Sequence, residues 1–410
     1  MPAIAGLRGT GSADWGTDER PKNFREMILW RNPNGSAPLT ALMSKMRTES
    51  TDDPEFAWWE EEMNPVRVNV SSAMSNAGLT VTIDSGDAYN LVAGDLMYVE
   101  AAAATATFPE IVTVAAVQSS TQFTITRGAA GTTTATVAAN AKLLKIGNAF
   151  GEGEASPAAS TRNPSKYYNY TQIFKTAYRV TNTAKATRFR TGDPLKNDKK
   201  RRMFDHSTSL EQAFLFGARY ESATGGAVNS KPLRYTGGLY YFLQANYNAT
   251  TAPVIKSIAS TVTNTGTDSL LDAVYQVFDY NTDGSGNERL VLCGNGFLNY
   301  LNKWVKYDGS TRINYEGTIR FFGMELQKWI IPQGTLYLKT HPLMNVNTRY
   351  TNAAFIIDPS GIKYRPLSGR DTKFQDNIQA NDADETKGQW LTEAGVEFHH
   401  LKSMRYMTVE

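Results

Sequence analysis

The chain has 410 residues, 41% of them hydrophobic and 20% charged, with 18 Phe, 20 Tyr and 7 Trp; this is too long for one ordinary domain and too apolar for global disorder. Its 42 basic residues against 40 acidic ones leave a formal charge of +2, which excludes a bulk polycation for nucleic acid and leaves only local patches. The single cysteine, Cys293, excludes an intramolecular disulfide framework and a cysteine-based zinc site, and four histidines (His206, His341, His399, His400) leave little material for a metal centre.

The start, Met1-Pro2-Ala3-Ile4-Ala5-Gly6, has no basic stretch followed by an apolar run, so no secretory signal is expected. The most apolar window, Ala101 to Ala116, is broken by Pro109-Glu110 and is too short to span a bilayer. The expectation is a soluble protein made and kept in the cytoplasm, or in something assembled there, with no membrane partner.

Residues 1–64 read as an irregular arm punctuated by Gly and Pro, with short helical patterns around Phe24, Ile28 and Leu29 and again at Leu39, Leu42, Met43 and Met46. The arm ends in seven acidic residues between Glu49 and Glu62 and no basic one, wrapped around Phe56, Trp58 and Trp59. Aromatics exposed on a flexible arm are costly in a monomer, so these three are expected to dock on another surface.

From Pro65 to Gly147 short alternating runs follow, such as Val66-Arg67-Val68-Asn69-Val70, Leu79-Thr80-Val81-Thr82-Ile83 and Phe123-Thr124-Ile125-Thr126. Rich in β-branched residues and separated by turn-forming clusters, they predict a small all-β barrel or sandwich, inserted between stretches of different composition. Extended strands are predicted over Tyr167 to Lys175 and Ala177 to Thr181. A basic cluster, Lys196 to Arg202, then leads into the best helix of the chain, on which Leu210, Phe214, Gly217 and Ala218 recur until Gly225-Gly226. Further on come a helix at Asp268 to Phe278, a strand at Arg289 to Cys293, a helix at Gly296 to Trp304, and strands from Thr318 to Ile357. Helices and strands interleave without a repeating βαβ unit, so the fold class is α+β.

No motif assembles a catalytic set. Asp279-Tyr280-Asn281-Thr282-Asp283-Gly284 matches half a calcium loop, but its twelfth position is Leu290 rather than a bidentate glutamate, and it reads better as a polar turn. Arg127-Gly128-Ala129-Ala130-Gly131-Thr132 lacks the Lys-Ser or Lys-Thr of a phosphate cradle and reads as a hairpin turn. On a strand, His399 and His400 face opposite ways and do not converge on a metal. Cys293 lies in an apolar strand, where thiols are inert. No enzyme activity, cofactor or metal is therefore expected.

Two features carry more. Residues 185 to 202 hold eight basic residues (Lys185, Arg188, Arg190, Lys196, Lys199, Lys200, Arg201, Arg202) against Asp193 and Asp198, opposite in sign to the acidic arm. These are either two independent solvated surfaces or a complementary pair, the basic one facing a neighbouring subunit or nucleic-acid phosphates. The inter-subunit version pairs Phe56, Trp58, Trp59, Glu60, Glu61 and Glu62 with Arg188, Arg190, Lys199, Lys200, Arg201 and Arg202. Secondly, the arm, loops and inserted module are large relative to the core, and such projections bury well in a lattice of copies.

The segments Phe24-Arg25-Glu26-Met27-Ile28-Leu29, Pro38-Leu39-Thr40-Ala41-Leu42, Asn169-Tyr170-Thr171-Gln172-Ile173-Phe174 and Leu210-Glu211-Gln212-Ala213-Phe214-Leu215-Phe216-Gly217, in that order around the acidic tryptophan segment and the basic cluster, resemble a family. The chain is similar to tailed-bacteriophage major capsid proteins of the Hong Kong 97-type fold, in the branch of SU10-like major head proteins, most clearly over residues 17–62 and 148–220. Where related sequences carry a Ser-Gly-Thr turn, this one has Thr181-Asn182-Thr183.

The resemblance implies an N-terminal arm at 1–64 and a β module at 65–147 within the extended E-loop region. It implies an E-loop return and peripheral domain at 148–239 with a spine helix near 203–223, an axial domain at 240–345, and C-terminal strands at 346–410 returning to the peripheral domain. It also implies self-assembly into hexamers and pentamers of an icosahedral shell around double-stranded DNA, touched non-specifically, with a portal and scaffolding or decoration proteins as further partners. The virion capsid would be its location, after assembly in the host cytoplasm. Some family members cross-link lysine to asparagine, and no local motif transfers that bond to named residues here. An encapsulin-like compartment, a tail-tube or decoration protein, and a β-rich hydrolase are the alternatives, the last lacking any site.

Overall fold

The computed structural model describes residues 42, 46–61, 67–84, 86–100, 108–161, 163–189, 191–226, 230–245, 255–258, 270, 274–279, 286–308, 318–321, 324–346 and 348–409. The helical patterns expected around 24–29 and 38–46 lie outside them, apart from Leu42 and Met46. So does the half calcium loop beyond Asp279. The chain divides into two units, one formed by Met1–Trp58 with Tyr168–Glu410 and the other by Trp59–Tyr167.

Strands β1 (Arg47–Thr48) and β2 (Glu55–Glu60) come first. The second unit then holds β3 (Arg67–Asn69), β4 (Thr80–Thr82), β5 (Asp95–Glu100), β6 (Ile111–Val117), β7 (Gln122–Ala129) and β8 (Lys142–Asn148). They form one six-stranded sheet in the order β3-β8-β5-β6-β7-β4, antiparallel throughout. An antiparallel bridge between Val70 and Ile83 joins the two end strands. The Ser71 N–H donates to the Thr82 carbonyl at 2.8 Å and the Asp84 N–H to the Asn69 carbonyl at 3.2 Å, so the sheet closes into a barrel. Strand alternation explains its filling: Val81, Met97, Val99, Phe123, Ile125 and Leu143 are buried in its core, while the intervening positions hold Thr80, Thr82, Thr124, Thr126, Glu100 and Lys142 with the half-buried Leu96, Tyr98 and Leu144.

A buried ion pair supplements that core. The Arg127 Nε donates to Glu110 Oε1 at 2.9 Å, with Nη2 on the other carboxylate oxygen. The N–H groups of Gly128 and Ala135 donate to the same carboxylate at 3.2 and 3.1 Å. The glycine-rich segment after Arg127 is a turn in which Gly128, Ala130 and Gly131 take positive φ and the Thr132 N–H donates to the Ala129 carbonyl. Its arginine is thus committed to this buried pair and to the Ser75 and Ala135 carbonyls.

The chain continues through β9 (Ser165–Tyr170), β10 (Gln172–Thr181), α1 (Asn182–Ala186), α2 (Pro194–Phe216), β11 (Tyr220–Ser222), β12 (Leu233–Tyr235), α3 (Leu239–Ala245), β13 (Ile255–Ile258) and β14 (Glu288–Cys293). Then come α4 (Asn295–Asp308), β15 (Thr318–Phe321), β16 (Met324–Ile331), β17 (Gly334–Thr340), α5 (Pro342–Val346), α6 (Thr348–Thr351), β18 (Ala353–Ile357), β19 (Ile362–Pro366), β20 (Lys373–Gln375), β21 (Glu385–Phe398) and β22 (Arg405–Val409). Strands β2 and β9 pair with each other, as do β11 and β12.

Two larger sheets organise this unit. One has five strands in the order β1-β19-β21-β10, with β20 also on β21, and α2 packs across β10 and β21. The other has seven strands in the order β13-β22-β18-β14-β17-β16-β15. Its interior strand β18, Ala353–Ile357, is buried at every position, as expected of a strand covered on both faces. Val291, Leu338, Ile356 and Met407 meet there with Phe297 and Leu301 of α4. The fold is α+β.

Several sequence expectations change. Helix α2 starts at Pro194, not near 203, because Asp193 caps it, accepting from the Leu195 N–H at 2.9 Å. Proline at the first helical position then fixes φ where its missing N–H is not needed. The basic cluster is therefore the first half of the helix. It ends at Phe216, short of Gly225-Gly226, because the Gly217 and Gly238 backbones meet there: the Gly238 N–H donates to the Gly217 carbonyl at 2.8 Å. A Cβ on Gly238 would lie 2.6 Å from the Ala213 carbonyl oxygen. Within the described part of 268–278, Tyr275–Phe278 is a short 3₁₀ turn. The strands of residues 346–410 are shared between the two large sheets, β18 and β22 joining the seven-stranded one and β19, β20 and β21 the five-stranded one.

Cys293 ends β14 fully buried, its thiol donating to the Lys339 carbonyl at 3.6 Å. Burial pushes the thiol pKa up to about 12, so little thiolate exists near neutrality. Maleimide at pH 7.5 is expected to leave the native protein unmodified and to label one site per chain after denaturation. Labelling of the native fold, read by intact mass, would contradict this burial.

Candidate assembly surfaces

Strand β2, Glu-Phe-Ala-Trp-Trp-Glu, alternates exposed and buried positions as a strand on a surface must. Phe56 and Trp58 are 4% and 5% exposed. Phe56 packs under Gly395, where a Cβ would come within 2.7 Å of its ring, and the Arg365 guanidinium lies 5.6 Å from the ring centre. Trp58 sits 5.9 Å from both the Phe242 and the His399 rings. These two aromatics are therefore core residues of their own chain, not free anchors on a flexible arm. Trp59 differs: it is 61% exposed and shares its side of the strand with Glu55 and Ala57. Glu60 is half-buried, Glu61 is exposed, and Glu62 lies outside the described residues.

The preceding segment is a strap along the five-stranded sheet. Leu42 and Met46 are buried. β1 runs parallel to β19, and Thr51 bridges to Leu367. The N–H groups of Glu49 and Thr51 donate to the Tyr364 and Pro366 carbonyls, each at 2.9 Å. The Glu49 carboxylate contacts Lys363 at 3.0 Å and Arg365 at 2.9 Å. The Lys363 hydrogen bond outweighs partial burial and, with Arg365, holds the Glu49 carboxyl below its ordinary pKa. The Leu42 N–H donates to Glu211 Oε1 of α2 at 2.6 Å, and His341 Nε2 lies 3.2 Å from the same oxygen. Because His341 Nδ1 accepts from the Leu343 N–H at 3.2 Å, Nε2 is the nitrogen that bears the proton and donates to Glu211. No periodicity pointed to this clasp. Its signal was a glutamate on the apolar face that carries Leu210, Phe214 and Leu215.

On the basic side, α2 sorts its cations. The Lys199 ammonium lies 3.6 Å from the Phe374 ring centre, and that ring packs 4.8 Å from Trp390 and 6.1 Å from Tyr178. Arg201 and Arg202 pair within the helix, with Asp198 at 3.8 Å and Asp205 at 3.2 Å. Lys196, Lys200 and Arg202 are exposed, as is Arg188 beyond α1, while Arg190 lies outside the described residues. Next to these cations Met203 and Phe204 are 51% and 41% exposed. Every fully buried residue of α2 lies at His206 or beyond, and the turns before it are half-buried or exposed.

Of the four histidines, His206 and His341 are buried in the core, and His399 and His400 are half-buried. His206 contacts the Thr176 and Thr392 hydroxyls at 3.1 and 2.8 Å, and burial lowers its pKa. His399 contacts Glu397 at 2.6 Å. Among the described residues no three metal-ligating side chains cluster, and no helix is long and apolar enough to cross a membrane.

Residues 8–408 match the model of a family described as SU10 major capsid protein. The chain is 27% identical over 360 residues to a major capsid protein of Pseudomonas phage PaMx41, covering 86% of this chain and 80% of that one. Among solved structures it is similar to the capsid of a native GTA particle, at 9% identity over 98% of this chain and 99% of that one with a TM-score of 0.48. It is also similar to the capsid of Myoviridae phage XM1, at 9% identity over 95% and 97% with a TM-score of 0.44.

Proposed function

The chain belongs to the SU10 major capsid protein family, and from that premise we propose that its copies assemble as hexamers and pentamers into the icosahedral head of a tailed bacteriophage around double-stranded DNA. The observation that carries the proposal is the extent of the family match, residues 8–408, which takes in the barrel as well as both large sheets. In this reading α2 is the spine helix, the barrel occupies the E-loop region, and the seven-stranded sheet forms the axial domain. A formal charge of +2 suits a wall that contains a genome without gripping it, with DNA contacts that are non-specific. Portal, scaffolding or decoration proteins would complete the particle, assembled in the host cytoplasm and retained in the virion. The role asks no catalysis of the chain.

Electron microscopy of the purified protein, with its absorbance ratio at 260 and 280 nm, tests this. Closed shells, or rings of five or six subunits, are expected. Open tubes of uniform bore would overturn it in favour of a tail protein. Shells enclosing protein cargo in place of DNA would favour a compartment.

A further inference from the structure

Strand β10 ends the five-stranded sheet on one side. It has 10 residues, against 2 for β1 at the opposite end and 4 each for β13 and β15, which end the seven-stranded sheet. The register fixes which of its backbone groups lie on the outer edge. Glu393 and Lys387 of β21 stand opposite Ile173 and Arg179, yet they direct their own groups to the far side. The Glu393 N–H donates to the Arg370 carbonyl and the Glu393 carbonyl accepts from the Leu367 N–H, each at 3.0 Å, and the Lys387 carbonyl accepts from the Ile378 N–H at 3.0 Å. Ile173 and Arg179 therefore sit in non-hydrogen-bonded pairs, and alternation places Lys175 and Ala177 with them. The N–H and C=O groups of these four residues point away from the sheet, and none has a hydrogen-bond partner among the described residues. Their side chains are exposed, while Phe174, Tyr178 and Val180 between them are buried. Pro54 marks one end of the edge, its carbonyl accepting from the Thr171 N–H at 2.8 Å, and α1 marks the other. From Ile173 to Arg179 the open edge runs ~20 Å.

We propose that this edge receives an extended segment of another protein, added as a further strand of the sheet with a carboxylate opposite Lys175. A strand supplies what the edge lacks, alternating N–H and C=O groups at the same spacing, with side chains on its outer face beside Ile173, Lys175 and Ala177. Charge selects among strands. Arg179 is already held by Glu385 at 2.8 Å, whereas Lys175 stands in the middle of the edge, and the exposed Lys185 and Arg188 follow it. A lysine at such a place guards against indiscriminate pairing, so the partner is one whose own charge answers it. The acidic stretches of this chain do not fit. Glu49 and Glu55 belong to segments that already pair within the chain. Gly151-Glu152-Gly153-Glu154-Ala155-Ser156-Pro157 carries two glycines and a proline, which strands disfavour, and turns back on itself through the Glu154 N–H and the Gly151 carbonyl. Nucleic acid would meet Lys175 but brings no row of donors for the open carbonyls. The edge is a property of the single chain, so the inference goes beyond the shell reading and stands whether or not copies close into shells.

The probe is a fluorescent peptide, Thr-Val-Thr-Glu-Thr-Val-Thr, whose sequence reads alike in both directions, titrated by anisotropy with the purified full-length protein. It is expected to bind, and its counterpart with lysine in place of glutamate to bind about fivefold more weakly, since like charges then stand opposite each other. Lys175→Glu is expected to invert that preference. Ala177→Pro removes one outward N–H and sets a ring against the incoming strand without breaking a bond to β21. It is expected to keep the wild-type circular dichroism and to lose affinity by about tenfold or more. Hydrogen exchange in the unsubstituted protein gives an independent reading. The Lys175, Ala177 and Arg179 amides should exchange quickly in the free chain and slow when the peptide is added, whereas those of Thr176 and Tyr178 should be slow in both. No binding, equal binding of the two peptides, wild-type affinity in Ala177→Pro, or protection confined to another strand would overturn the proposal. If the β10 amides are already protected in assembled particles with no peptide added, the occupant is a second copy, and the assignment to another protein is overturned. None of these readings requires shells to form, so their failure leaves the shell reading untouched.

Discussion

Replacing Glu110 by alanine is expected to cost the barrel about 3–5 kcal/mol, because it leaves the Arg127 guanidinium buried without its counter-charge. Both side chains are nearly sealed from water, 0% and 5% exposed. Beyond Arg127, the carboxylate also holds the N–H groups of Gly128 and Ala135, so the substitution strands three donor groups at once. A domain of this size has about 5–15 kcal/mol of stability in all, and the loss is a large part of it. Calorimetry should show one transition moving down steeply while the transition of the larger unit holds. An unchanged barrel transition would mean that the pair contributes no more than an exposed one.

The same carboxylate gives the barrel a pH dependence. Burial opposes its ionisation, but Arg127 and the Ala135 and Gly128 N–H groups outweigh that and hold its pKa below the ordinary value of 4.5. A carboxyl whose folded pKa lies below its unfolded one contributes stability above the unfolded value and loses it as pH falls through the folded one. The advantage of the wild type over Glu110→Gln should therefore be full at neutral pH and shrink below about pH 4.5.

Phe214→Ala is expected to cost the other unit about 3–5 kcal/mol. The ring is fully buried on α2 and meets Phe174 of β10 edge-on at 6.2 Å and Tyr364 of β19 at 6.0 Å. It fastens the packed half of the helix to the sheet, and its removal leaves a cavity that neither strand can collapse to fill. Hydrogen exchange should rise through residues 206–216 and the barrel transition should not move. A shift confined to the barrel would contradict the assignment of α2 to the larger unit.

How far these features were legible follows from the range over which each is encoded. The alternating runs between 65 and 147 predict strands locally, because alternation is a property of two or three neighbours. Closure into a barrel depends on Val70 meeting Ile83 across an intervening loop, which no local pattern carries. The Lys196–Arg202 run reads as a basic cluster ahead of the helix, since its charge density masks a helix start that Asp193-Pro194 announces. Phe56 and Trp58 were misplaced for a different reason. Their neighbours are acidic and suggested exposure, yet Glu-Phe-Ala-Trp-Trp-Glu is itself an alternating strand that buries every second residue until Trp59. The mixed seven-stranded sheet brings β14 beside both β17 and β18, and that order depends on contacts remote in sequence.

The pairing of β2 with β9 has a bearing on how such a chain can change over time. The two strands carry the polypeptide out of the larger unit and back, and paired strands lie ~5 Å apart, so from the body's side everything between them is a graft on a two-stranded socket. Any fold whose own ends lie that close could be exchanged for this barrel without disturbing the register of the sheets beneath.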